Sequence, residues 1–100
     1  MKDIDFIREN TLHEDLLCQL AEECCETAQA SLKLKRAIEK TNPTPVSEER
    51  AEENLSEEIR DVILVLNVLG YVDMNEDFLS DPWIAEKLER WVRRLKEAQK

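Results

Sequence analysis

The 100-residue chain contains one glycine, Gly70, and three prolines. Architectures built from many short strands need glycine-rich turns, so this scarcity argues for helices. Histidine is equally scarce, with His13 alone. One imidazole and cysteines in no zinc spacing leave a zinc site without ligands, and the Glu-x-x-His pairs of a di-iron bundle are missing. No Asp-x-Asp-x-Asp-Gly loop is present for an EF-hand. No run reaches the roughly 18 apolar residues of a membrane span, and residues 1–10 are too charged for a signal peptide. Positive charge is also in deficit: 14 Lys and Arg stand against 23 Asp and Glu, a net charge of −9. Such a chain repels nucleic acid and anionic membrane, which argues against a role built on phosphate-backbone contacts. Cys18, Cys24 and Cys25 are read as small helix-packing residues of a reduced, cytoplasmic protein.

Where helices begin and end is marked by a few residues. Thr11 followed by Glu14 has the spacing of a capping box, and Leu12, Leu16, Leu17 and Leu20 lead into an uninterrupted stretch that predicts a helix over about 11–40. Thr41-Asn42-Pro43-Thr44-Pro45 breaks it with a loop. Ser47 is a good N-cap, and Glu48 and Glu49 complement the helix dipole behind it. The second helix therefore spans about 47–69 and stops at Gly70. After a connection over 71–80, Asp81-Pro82 supplies an N-cap and a first-turn proline for a third helix over about 82–98. A short helix over 3–9 completes the set. The length suits one all-α domain, 1–100.

On a wheel of about 100° per residue, Leu16, Leu20, Leu34 and Ile38 fall within about 40° and define the inner stripe of the first helix. Glu23 lies about 20° from Leu16, inside that stripe, with Glu26 on its edge at about 80° and Glu22 further out at about 120°. In the second helix Ala51, Leu55, Val62, Val65 and Leu69 form the stripe. Glu58 lies in its middle, Asp61 at its edge about 60° away, and Glu57 near 100°. Each helix thus sets one acid into its apolar face and a second one turn along at the rim. Gathering ionised carboxylates away from water costs several kcal/mol unless a cation offsets it. Hard oxygen ligands of this kind suit Mg²⁺ or Mn²⁺.

The pattern Glu22-Glu23-Cys24-Cys25-Glu26, then Glu58-Ile59-Arg60-Asp61 with the apolar run 62–66 behind it, resembles the MazG-like all-alpha nucleoside triphosphate pyrophosphohydrolases. Their signature is Glu-Glu-x-x-Glu on one helix and Glu-x-x-Asp on the next. The likeness extends over about residues 19–69. It implies an antiparallel helical bundle completed by oligomerisation, and hydrolysis of an NTP or dNTP to the monophosphate and pyrophosphate. It also implies Glu23, Glu26, Glu58 and Asp61 as Mg²⁺ ligands, with Glu22 in a supporting catalytic role.

A triphosphate needs further cations. Lys33 lies two turns beyond Glu26 on nearly the same face, and Lys87, Arg90 and Arg94 form a basic stripe at i, i+3 and i+7 on the third helix. These four are the expected substrate contacts, although each on its own is equally at home in a solvated face. Trp83 and Trp91, one step off that stripe, are read as core or subunit-interface anchors. Two apolar-faced helices and a third do not close a four-helix core, so a homodimer or homotetramer is expected. The competing reading is a non-catalytic helical module that binds a nucleotide or a protein.

Overall fold

The computed structural model describes residues 2–40, 46–73 and 75–99. Among them the chain is all-helical: α1 (Lys2–Asn10), α2 (His13–Glu39), α3 (Glu48–Leu69), a 3₁₀ turn (Phe78–Ser80) and α4 (Pro82–Ala98). The loop expected over 41–45 lies outside the described residues.

Three of the four predicted boundary signals act as expected. The Ser47 hydroxyl accepts the Arg50 N–H at 3.2 Å. Gly70, at φ 87°, ends α3 in the left-handed region. Its N–H donates to the Asn67 carbonyl and that of Tyr71 to the Leu66 carbonyl, both at 3.0 Å. This paired closure satisfies carbonyls that a helix end leaves open. Asp81 caps α4 by accepting the Trp83 and Ile84 N–H groups at 2.8 and 3.3 Å. The fourth signal fails. The extended residue before α2 is Leu12, and no side chain caps the helix, so the Thr11–Glu14 box is not formed. Thr11 stands one residue too early for it. The Leu12 carbonyl receives the first two helical bonds, from Asp15 and Leu16, at 3.0 and 3.1 Å.

α2 and α3 form an antiparallel hairpin. Leu16 lies beside Val68 and Leu69 at one end, Thr27 meets Glu58 midway, and Lys33 shares a cleft with Ala51 near the loop. α1 packs on α3, where Arg8 donates to the Val68 and Asn67 carbonyls at 2.7 and 2.8 Å. A guanidinium in this place satisfies the last carbonyls of α3 and complements its dipole. α4 packs chiefly on the 3₁₀ turn that leads into it.

Among the described residues, only Ala30, Ala37, Ala51 and Val68 are buried. Leu16, Leu20 and Leu34 are half-buried. Ile38, expected on the same stripe, is 54% exposed while Ala37 beside it is buried, because the face that meets α3 follows the alternating spacing 16, 20, 23, 27, 30, 34, 37. All three cysteines are exposed rather than packed. Trp83 and Trp91 are 65% and 61% exposed, so neither belongs to a core of this chain. The radius of gyration, 17.5 Å, exceeds the roughly 13 Å of a compact chain this long. None of the described helices is long and apolar enough to cross a membrane.

Candidate metal centre

The wheel positions of the acids translate directly into their exposure. Glu23 and Glu58, at the centres of the facing stripes, are half-buried, while Glu22, Glu26, Glu57 and Asp61 at the rims are exposed. One carboxylate oxygen from each of Glu23, Glu26 and Glu58 lies within 4.8 Å of the others. The antiparallel register makes this possible, because it sets the Glu23 turn of α2 level with the Glu58 turn of α3. Thr27 fixes that level: its hydroxyl donates to the Glu23 carbonyl one turn back at 2.8 Å and lies 3.2 Å from the Glu58 carbonyl across the interface.

The charge in the cluster is only partly answered. Gln19 donates to Glu23 Oε1 at 2.7 Å. Glu23 Oε2 and Glu58 Oε2 are both buried with no hydrogen-bond partner. None of the ion pairs found among the described residues involves these acids. The Glu26 carboxyl is held above the ordinary carboxylate range. Hydrogen bonding to Glu58 does most of this, followed by the Glu58 charge, partial desolvation and the charge of Asp61, while hydrogen bonding to Glu23 opposes it.

Asp61 stands outside the group of three, although close enough for its charge to reach Glu26. Glu22 is exposed next to Glu23. A cleft of about 190 Å³ opens beside the acids, lined by Glu26, Gln29, Ala30, Lys33, Val46, Ala51, Asn54 and Glu58. Lys33 is therefore brought to the acids as expected. Lys87, Arg90 and Arg94 are not: they line a separate notch on α4 with Trp91, and the Lys87 ammonium lies over the Trp83 ring, 5.4 Å from its centroid.

Gln19, Thr27 and Asn54 are polar residues that the charge pattern did not single out. The wheel contained the signal for two of them. Thr27 falls about 20° from Leu16 and Asn54 about 20° from Val65, so each lies in the middle of an apolar stripe.

Two orphaned inward carboxylate oxygens, a third acid at the rim and an all-oxygen donor set fit a hard divalent cation that keeps several of its own waters. Compared with known proteins, the chain matches no family model, no curated protein and no solved structure.

Proposed function

We propose that the chain is a cytoplasmic, Mg²⁺-dependent nucleoside triphosphate pyrophosphohydrolase of the MazG-like all-alpha kind, working as a homodimer or homotetramer. The convergence of Glu23, Glu26 and Glu58 with two unpartnered oxygens carries the reading. The sequence pattern that includes Asp61 points the same way.

Glu23, Glu26, Glu58 and Asp61 are the residues that would hold Mg²⁺, with Mn²⁺ as a substitute. When bound, the ion would neutralise phosphate charge and make water more acidic. The remaining work falls to the chain. Glu22, at the rim, orients the attacking water. Lys33, in the cleft with Glu26 and Glu58, binds a phosphate oxygen. Water adds to phosphorus as the bond between the α-phosphorus and the bridging oxygen breaks. One water proton passes to a carboxylate of the cluster, and pyrophosphate leaves with the bridging oxygen. Positioning and charge neutralisation account for most phosphoryl-transfer catalysis, so a small hairpin suffices.

Pyrophosphate release from a panel of NTPs and dNTPs with Mg²⁺ tests the proposal. Wild type releases pyrophosphate from at least one nucleotide. Glu58→Gln and Asp61→Asn lower the rate at least about 100-fold, the scale of removing an electrostatic catalytic group, with helical circular dichroism unchanged. A fully folded protein that releases no pyrophosphate from any nucleotide overturns the enzyme reading and leaves the non-catalytic binding module.

A further inference from the structure

α2 carries a second apolar face, turned about 130° from the one that meets α3. Leu17 and Leu32 on this face are 41% and 54% exposed. Between them lie Ala21, Ala28, Cys24 and Cys25, all exposed. Cysteine is among the residue types most often buried, so two of them bare on one apolar face indicate a surface that is covered in the working protein.

The order of residues identifies the cover. Leu17 and Leu32 are equidistant from the midpoint between Cys24 and Cys25, and so are Ala21 and Ala28. A second copy of α2 laid antiparallel across a two-fold axis at that midpoint sets leucine level with leucine and alanine level with alanine. The four thiols gather at the axis. Small residues at the centre let helix axes approach to about 8 Å.

Charge follows the same symmetry. Glu14 and Lys35 are also equidistant from the midpoint and fall on the same face, so each end of the pair opposes a carboxylate to an ammonium. Among the described residues Glu14 has no cation partner within its own chain, and Lys35 holds only the exposed Glu39, at 2.6 Å.

The surface area agrees. The chain exposes 8428 Å², against about 5,900 Å² for a monomer of its mass. That excess, roughly 2,500 Å², is more than the roughly 800 Å² each partner hides in a standard interface. It belongs to the chain as a whole, with Trp83 and Trp91 of α4 contributing as well as Leu17 and Leu32, so it leaves room for this interface without locating it.

We infer that the outer face of α2 is a self-complementary, antiparallel dimer interface centred between Cys24 and Cys25. The inference names the surface for the homo-oligomer proposed above and does not depend on the catalytic reading.

Sedimentation of the full chain without nucleotide or metal tests it, so that failure here leaves the hydrolase assay untouched. Wild type is a dimer or larger, and Ala21→Glu with Ala28→Glu, both on an exposed face, drops it to a smaller species with unchanged helicity. Glu14→Lys or Lys35→Glu alone weakens dimerisation about tenfold, since the two-fold repeats each lost pair; the two together restore it. Diamide, which takes up the two thiol hydrogens as an S–S bond forms, cross-links wild type and Cys18→Ser. It does not cross-link the variant with Cys24→Ser and Cys25→Ser. A monomeric wild type, an unaltered assembly in the Ala→Glu variant, or cross-linking that requires Cys18 overturns the interface.

Discussion

Replacing Glu58 by Gln should move stability in opposite directions with and without divalent metal. Glu23 and Glu58 are half-buried, and their nearest carboxylate oxygens lie within 4.8 Å. Two unit charges at that distance repel by about 0.9 kcal/mol in water and about 3.5 kcal/mol at the effective dielectric near a protein surface. Gln removes one charge, keeps the shape and offers an amide donor to the orphaned Glu23 oxygen. In EDTA at pH 7.5, Glu58→Gln should therefore be more stable than wild type by about 1–3 kcal/mol. For a domain of this size that is a rise in Tm of about 4 °C or more. With Mg²⁺ at 100 times its Kd, wild type gains about 2.7 kcal/mol, and the variant, having lost a ligand, gains little. The order of the two melting curves, followed by circular dichroism at one protein concentration, then reverses or closes. If Glu58→Gln melts below wild type in EDTA, the acids are a structural network rather than a strained cluster awaiting a cation, and the reasoning is refuted.

Because the Glu26 carboxyl is raised by its neighbours, the folded state favours its protonated form. That contribution is complete at acid pH and is lost as pH rises through the raised value. The metal-free protein should therefore lose Tm across the range just above ordinary carboxylate titration, and Mg²⁺ affinity measured by calorimetry should rise over the same range as the proton is displaced. Thr27→Val keeps the side-chain volume and removes the donor that reaches the Glu58 carbonyl; chemical denaturation should register a loss of about 1 kcal/mol. Gly70→Ala should cost about 1 kcal/mol through backbone strain at φ 87°. No atom lies within 4 Å of the added methyl, so a shift well beyond that value would point to lost packing instead.

Features that depend on a few neighbouring residues were legible in the sequence. Ser47, Gly70 and Asp81-Pro82 each satisfy helix-end groups by themselves, and their helices end where they indicate. The acid cluster was legible because two periodic stripes, each interrupted by a glutamate, leave little choice of which faces meet. Other features depended on competition or on distant partners. At the start of α2 the hydrophobic Leu12 takes the capping position that Thr11 was expected to hold, which costs the helix a side-chain cap. At its end Lys40 adopts φ 55°, a conformation lysine does not advertise. The strongly amphipathic pattern of α4 shows that it has an apolar face but not what covers it. For this reason Lys87, Arg90 and Arg94 share a stripe as expected without lining the acid cleft. The cysteines illustrate the same limit, since the residue type predicts burial while a single chain leaves them exposed.

Two demands meet on one turn of α2. Glu23 and Glu26 point to the α3 side, and Cys24 and Cys25, the residues between them, lie on the outer face. Among the described residues the hairpin has few buried side chains, so the relative placement of α2 and α3 rests heavily on Thr27 and on contacts lined by Ala30, Ala37 and Ala51 on the loop side of the acids. Repulsion among the acids acts on the contact that the fold can least afford to loosen. A cation on the inner face and a second chain on the outer face would both hold this turn in a single position, one by removing the repulsion and the other by restraining the helix. Binding events that favour the same conformation of a shared element strengthen each other by equal amounts. Metal affinity should therefore depend on assembly, and assembly on metal, even though the two surfaces lie on opposite sides of the helix.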